Sequence, residues 1–214
     1  MNPDQDKFLL YFEKLIAFFS SAGYPDDLTQ ARSEYFSLIN PVPPDGPLYE
    51  SRLALFLDWF IFDRKFRGGK TAAQYFYEAR SPLFRPEENE IYKNFLNPSH
   101  SIFSIKLVNS PEIQIQDLLD QQVYTVFERR NLNIQEGDLC DCRLIPFEGN
   151  IYFTGAFCYH PREVLPFLKK LLKPVQQKQA VATPFLIRCI SLNNTWNLHY
   201  PHADPKEVYE KYGS

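Results

Sequence analysis

SRLALFLDWFIFDR, residues 51–64, is the densest apolar stretch of the chain and decides the fold. Its large side chains recur every three or four residues, which is the spacing of one face of an α-helix. Only Arg52, Asp58 and Asp63 interrupt the apolar surface inside this stretch. A helix that is apolar on nearly all sides needs cover from other elements, so we expect it to be central and buried. The expected core residues are Leu53, Phe56, Leu57, Trp59 and Phe60.

Asp58 is the polar exception in the middle of this helix. A carboxylate among apolar side chains is usually paired, so we expect Asp58 to meet an arginine or the indole N–H of a tryptophan. The alternative is that Asp58 is a functional acid. The apolar run 53–62 is interrupted by Asp58 and is shorter than the roughly 20 residues that span a bilayer, so we expect no membrane span.

The composition is that of a globular protein with many aromatic residues. The 214 residues are 44% hydrophobic and 23% charged, and 19 Phe, 13 Tyr and 2 Trp supply much of the apolar surface. Part of this aromatic surface suits an interface, where Tyr and Trp are favoured. The net charge of -3 disfavours sequence-independent nucleic-acid binding, which needs a concentrated positive field.

The N-terminus and the cysteines indicate a cytoplasmic protein. Residues 1–8, MNPDQDKF, lack the basic segment and the uninterrupted apolar run of a signal peptide. Cysteines in a reducing compartment remain thiols. The four cysteines expected to be thiols are Cys140, Cys142, Cys158 and Cys189.

The periodicity divides the chain into three segments. Residues 1–98 are a helical region, with helices predicted over 6–20, 28–38, 51–64 and 87–96, and another that begins after Thr71. Residues 99–160 form an antiparallel β-domain, with strands predicted over 102–108, 113–115, 123–127, 138–145 and 151–159. Residues 161–214 return to helices, over 164–172, 179–192 and 204–212. The predicted fold class is α+β: a helical N-terminal half, a small antiparallel β-meander or barrel, and a helical C-terminal tail that packs back.

Three pieces of sequence follow one another in a recognisable order: FLDWFIFD (56–63), Gly-Lys-Thr (69–71) and EGDLCDCRLIPFEGNIYFTG (136–155). This order resembles a group of uncharacterised bacterial cytoplasmic proteins, some of them similar to companions of SEC-C zinc-tail proteins. The resemblance covers roughly residues 50–160. It implies a helical half with a Trp-Phe core before a small β-domain. Its motifs are packing motifs, so it implies no catalytic residue, and the zinc tail is absent.

Residues 68–71, Gly-Gly-Lys-Thr, contain the ending of a phosphate-binding loop. The full motif has a glycine five residues before Gly69, where this chain has Arg64. The motif also follows a strand, whereas a predicted helix precedes it here. We therefore interpret Thr71 as the cap of the next helix.

Cys140, Cys142, Cys158 and His160 have the residue types and spacing of a zinc site on two neighbouring strands. The register of the two strands decides the question, because a match of their apolar faces pairs Phe147 with Asn150. In that register Cys140 and Cys142 point to one face of the sheet, whereas Cys158 and His160 point to the other. We therefore predict core thiols and no metal.

Arg129 and Arg130 are the candidate anion-binding residues. With Tyr124 and Phe127 they would form a site for an anionic ligand if both guanidinium groups were free. Adjacent strand residues point to opposite faces, so we expect one arginine to face solvent and the other to pair with a carboxylate. The carboxylates nearby in sequence are Glu128, Asp138 and Asp141.

No motif names a reaction or a ligand, so the function stays unknown at this level. The aromatic excess and the lack of chemical motifs favour a non-catalytic cytoplasmic module that binds or regulates a protein partner. One alternative is a small barrel that binds a nucleotide or single-stranded nucleic acid through Arg129 and Arg130. The other is an unfamiliar enzyme, which needs a concave site with convergent polar groups. We expect no catalytic residue, cofactor, nucleic acid or membrane.

Overall fold

The computed structural model describes residues 3–21 and 23–213. In these residues the helices are α1 (Pro3–Ser20), α2 (Pro25–Leu38), α3 (Tyr49–Phe62), α4 (Ala72–Arg80), α5 (Pro86–Asn94), α6 (Leu165–Gln176), α7 (Ala182–His199) and α8 (Pro205–Gly213). The strands are β1 (Ser99–Asn109), β2 (Glu112–Asp117), β3 (Val123–Phe127), β4 (Leu139–Phe147) and β5 (Asn150–His160). Helices therefore precede and follow an antiparallel sheet, which confirms the α+β class. None of these helices combines the length and apolarity that crossing a bilayer requires.

Helix α3 lies at the centre because its sequence leaves little of its surface polar. It packs on β5 and against α2 and α4. Among the expected core residues, Phe56, Trp59 and Phe60 are buried, whereas Leu53 and Leu57 are half-buried and pack against the core. Full burial of one large apolar side chain contributes about 1.5–3 kcal/mol, so α3 is a main source of the stability of the fold.

Aromatic rings fill the space between the N-terminal helices and the sheet. The ring of Phe8 in α1 lies 5.6 Å from that of Phe147 and 5.1 Å from that of Tyr152. The same core includes residues of α1 to α5, β4, β5 and α7. A second cluster joins α6, α7 and α8 to Ile102 of β1. The helices before and after the sheet are thus fixed to it by apolar contacts.

The sheet has the strand order β3-β2-β1-β4-β5. Strands β1 to β3 form a meander, and β4 and β5 form a hairpin. After β3 the chain crosses back, so that β4 pairs with the long strand β1 instead of with β3. The sheet is open, with β3 and β5 at its two edges, and does not close into a barrel.

Helix α7 is longer than the periodicity predicts. A helix is predicted over 179–192, but α7 continues to His199. The polar residues Asn193 and Asn194 are buried, and their side-chain amides donate to the carbonyls of Tyr159 at 2.8 Å and of Ile39 at 2.7 Å. These tertiary hydrogen bonds extend the helix beyond its apolar pattern.

Thr71 caps α4, as its position predicts. Its hydroxyl accepts a hydrogen bond from the backbone N–H of Gln74 at 3.3 Å. The side chain of Gln74 accepts in return from the backbone N–H of Thr71 at 2.9 Å. This reciprocal pair satisfies two N–H groups that the helix start leaves free.

Candidate functional site

Five ionisable side chains form an ion cluster between α3 and the sheet. The cluster consists of Asp58 in the C-terminal half of α3, Asp63 directly after the end of α3, His100 in β1, and Asp141 and Arg143 in β4. Asp141 and Arg143 share one face of β4, because residues two apart in a strand point the same way. His100 lies directly opposite Arg143 in the ladder between β1 and β4. The pairing of two strands therefore brings three of the five charges together beneath α3.

Arg143 links the sheet to Asp58 in α3 and to Asp63 at the end of this helix. Its Nε donates to Asp58 Oδ2 at 2.6 Å, and its Nη2 donates to Asp63 Oδ2. The guanidinium carbon also lies 4.9 Å from the centre of the Phe62 ring. Arg143 and Asp58 are both buried, and a buried ion pair is stable only while both partners are present. The expected pairing of Asp58 with an arginine is confirmed.

His100 completes the cluster. Its Nε2 lies 2.8 Å from Asp141 Oδ1, and its Nδ1 lies 3.5 Å from Asp63 Oδ2. Burial and the nearby Arg143 lower the pKa of His100, but the carboxylates of Asp141 and Asp63 raise it more, to about 9. Burial likewise opposes ionisation of Asp63, but the hydrogen bond from His100 and the charge of Arg143 lower its pKa. The histidine proton thus offsets an excess of carboxylates in the cluster.

We expect the free energy of unfolding to fall as the pH rises from about 6.5 to 9, because of His100. The pKa of this ring rises from 6.5 to about 9 on folding, so the folded state binds the proton more tightly. The stabilisation is complete below pH 6.5 and is lost as the pH rises through 9. A shift of this size corresponds to a loss on the order of 3 kcal/mol. Urea unfolding at the two ends of this pH range measures the loss.

His100→Gln is the control for this prediction, because glutamine can donate a hydrogen bond but does not titrate. The loss attributed to the ring should be absent from the variant. An NMR titration of the histidine rings, with the variant identifying the signal of His100, gives its pKa directly. A midpoint at or below 6.5 would contradict the prediction and would mean that a neutral Nδ1 accepts from Arg143 Nη2, 3.2 Å away.

The zinc-type residues lie on two faces of the hairpin of β4 and β5. Cys140 and Cys142 belong to the apolar cluster on one face, whereas Cys158 packs among the helices on the other. His160 is buried, and its Nδ1 lies 3.0 Å from the hydroxyl of Tyr209. The four cysteines are free and buried, and burial raises the pKa of Cys158 to about 12. Within the described ranges, no three His, Cys, Asp or Glu side chains are grouped so that they could bind a metal ion.

The four predicted ligand-binding residues do not meet in one place. Arg129 and Arg130 follow the end of β3 and are not in a strand. Arg130 donates from Nε and Nη2 to the carboxylate of Glu128, at 2.9 and 2.6 Å, whereas Arg129 is exposed. This confirms the expected pairing of one arginine with a carboxylate. Tyr124 and Phe127 pack against different apolar clusters, on opposite faces of β3.

Of the five residues in the ion cluster, only Asp58 has a sequence pattern that predicts an ionic partner. The signal for Asp141 and Arg143 is the alternation Cys-Asp-Cys-Arg at 140–143, which places the two charges on the face opposite to the cysteines. His100 carries no comparable signal, because its partner Asp141 lies 41 residues further along the chain.

A groove of about 520 Å³ lies between α1, α4 and α5, and we call it the basic groove. Aromatic side chains line it: Phe18, Phe76, Phe84 and Tyr92. The exposed cations Lys14 and Arg80 also line it, and neither has a carboxylate within 4.0 Å in the described part of the chain. Leu83, which is 71% exposed, adds an apolar side chain. The basic groove thus combines an apolar floor with unpaired positive charge.

More than half of the chain matches a known protein family. The match extends from residue 48 to residue 195, and the family is one of unknown function. The chain belongs to this family, DUF7986. No curated protein and no solved structure matches the chain. The DUF7986 region begins just before α3 and ends within α7, so it contains the whole ion cluster and Arg80, whereas Lys14 lies outside it.

Proposed function

We propose that this DUF7986 protein is a non-catalytic interaction module that binds an acidic, amphipathic segment of a protein partner in the basic groove. The observation that supports this proposal is the pair of unpaired cations, Lys14 and Arg80, beside an aromatic floor. Carboxylates on a partner complement these charges, and apolar side chains complement the floor.

Lys14 and Arg80 lack the carboxylate neighbours that many other basic side chains of this acidic protein have. Basic side chains with a carboxylate within 4.0 Å include Lys7, Arg64, Arg67, Lys70, Arg85, Lys93, Arg130, Arg143 and Arg162. Lys14 and Arg80 instead lie 4.7 Å from the ring of Tyr11 and 6.0 Å from that of Phe18. A cation over a ring keeps N–H groups for a carboxylate, so both remain available to a partner.

Glu88 is the carboxylate that lines the basic groove among the described residues, and it is already engaged. Arg85 pairs with it at 3.3 Å, and hydrogen bonds from the side chain and backbone of Arg85 lower the pKa of Glu88. The groove therefore keeps a net positive charge at neutral pH.

The shape of the basic groove suits a helix that carries apolar residues on one face. The ring of Phe76 in the floor lies 5.0 Å from that of Phe18 and 4.9 Å from that of Tyr92, so the floor is continuous. Amphipathic helices bind such grooves through apolar anchors at i, i+3, i+4 and i+7. Acidic residues next to the anchors would then meet Lys14 and Arg80.

A bacterial, cytoplasmic setting is part of the proposal. It is supported by the resemblance of 56–63 and 136–155 to bacterial cytoplasmic proteins, some similar to companions of SEC-C proteins. The four free cysteines also suit a reducing compartment.

Lys14→Glu/Arg80→Glu should weaken the binding of an acidic amphipathic peptide at least tenfold, or by about 1.4 kcal/mol. The probe is a fluorescein-labelled helix of about four turns, with Leu and Phe on one face and Glu on the others. Fluorescence polarisation at low salt measures its Kd. Added salt should weaken the binding, because the charge pairs lie at the surface. The same peptide with Lys in place of Glu should bind far more weakly.

Lys106→Glu/Lys169→Glu is the matched control. Both lysines are exposed and lie on β1 and α6, outside the basic groove. Their substitution changes the net charge by the same amount as Lys14→Glu/Arg80→Glu does. Distant exposed charges are screened, so the control should change the Kd by no more than about twofold. Equal losses in the two double variants, or equal binding of the lysine peptide, would refute the proposed site.

A further inference from the structure

A second cavity, of about 240 Å³, lies between α1, α3 and β5. Its apolar wall consists of Phe12, Ile16, Ala54, Leu57 and Ala156. Its polar lining consists of Asp58, Arg130 and Thr154. Pockets for drug-sized ligands measure about 300–1,000 Å³, so this cavity suits a smaller molecule.

Two polar groups of this cavity are buried without a partner. Asp58 and Thr154 are only 5% and 8% exposed. Arg143 occupies Oδ2 of Asp58, but Oδ1 of Asp58 and Oγ1 of Thr154 have no hydrogen-bond partner among the described residues. Buried polar groups in proteins are nearly always hydrogen-bonded. The cavity therefore suits a molecule that donates hydrogen bonds to Asp58.

Arg130 brings a positive charge to the same cavity. Glu128 occupies its Nε and Nη2, which leaves Nη1 for another acceptor. Gly155, with a φ of +102°, lies beside this nitrogen, and a Cβ there would be 3.0 Å from it. A glycine at this position therefore allows the guanidinium to approach the cavity wall.

We propose that this cavity binds a small aliphatic ammonium compound, either a free amine or an aliphatic α-amino acid. The ammonium group donates to Asp58 Oδ1 and Thr154 Oγ1, and the aliphatic part contacts the apolar wall. The carboxylate of an amino acid accepts from Arg130 Nη1. A cation is favoured because the ion cluster has three carboxylates for two positive charges, even with His100 protonated. Glu128, in contrast, already neutralises Arg130.

Isopentylamine is the probe, and calorimetric titration should give a Kd of roughly 1 mM or tighter. Isovalerate has a similar apolar shape with an anionic group, and it should bind at least tenfold more weakly. Leucine shows which of the two classes of ligand, a free amine or an aliphatic α-amino acid, the cavity prefers. Tighter binding of leucine than of the amine assigns its carboxylate to Arg130, and weaker binding assigns the cavity to free amines.

Ala54→Leu tests the site by filling the cavity without altering a charged residue. Thr154→Val removes the hydroxyl and retains the shape. Each variant should weaken isopentylamine binding at least tenfold, whereas Ala79→Leu, the same substitution at an exposed position of α4, should not change it. Thermal unfolding verifies that each variant is folded.

Absence of amine binding in the wild type would overturn this proposal, and so would binding that Ala54→Leu leaves unchanged. The result is independent of the proposed peptide site. Lys14→Glu/Arg80→Glu changes the basic groove and should leave the Kd of isopentylamine unaltered. Failure of one site therefore does not imply failure of the other.

Discussion

Arg143→Met should destabilise the protein by about 3–5 kcal/mol, the loss typical when one partner of a buried ion pair is removed. Methionine retains most of the side-chain length but not the charge. Asp58 and Asp63 would lose the guanidinium that they share, and both would stay between α3 and the sheet. Chemical denaturation of wild type and variant measures the difference in the free energy of unfolding.

Arg67→Met is the matched control, because Arg67 pairs with Asp27 at the surface and its side chain is 53% exposed. Exposed pairs contribute at most about 1 kcal/mol, so this variant should remain close to the wild type. Arg143→Lys should fall between the two, since lysine retains the charge but not the planar fork that binds two carboxylates. Equal losses for the two methionine variants would show that the ion cluster does not behave as a buried ion pair.

The position of α3 could be predicted because its signal is local and dense. The apolar pattern predicts a helix over 51–64, and α3 extends from Tyr49 to Phe62. The hairpin of β4 and β5 is also local, and the expected pairing of Phe147 with Asn150 is present. In both cases neighbouring residues carry the information.

The strand order could not be predicted in the same way. The strands themselves follow from alternation, but the pairing of β4 with β1 depends on a crossing after β3. Residues 128–138 make this crossing, and their apolar residues are too few to show the spacing of a helix or a strand. The extension of α7 through Asn193 and Asn194 is a related case, because the carbonyls that bind these amides belong to other elements.

The functional surfaces depend on contacts between distant residues. Asp58 and Arg143 are 85 residues apart, so the sequence predicts a partner for Asp58 but not its identity. Lys14 and Arg80 lie on different helices that only the fold brings to one groove. Whether a surface cation has a carboxylate nearby is likewise decided by tertiary structure, which explains why the basic groove has no sequence signal.

Trp59→Ala should destabilise the protein by about 3–5 kcal/mol, because it removes a large ring and leaves a cavity. Trp59 is 7% exposed, and its ring lies 5.2 Å from that of Tyr35 in α2. Loss of the indole therefore weakens the contact between α2 and α3 as well as the core itself. Urea denaturation followed by the fluorescence of Trp196, the second tryptophan of the chain, measures the loss.

Two variants show whether burial is the cause of this loss. Trp59→Phe retains an aromatic ring at the position and should lose less stability than Trp59→Ala, because the cavity is smaller. Leu83→Ala truncates a side chain that is 71% exposed, so the free energy of unfolding should change by no more than about 0.5 kcal/mol. If Trp59→Ala instead matched Leu83→Ala, α3 would be exposed in solution. Its aromatic face would then be a surface for a partner instead of the centre of the fold.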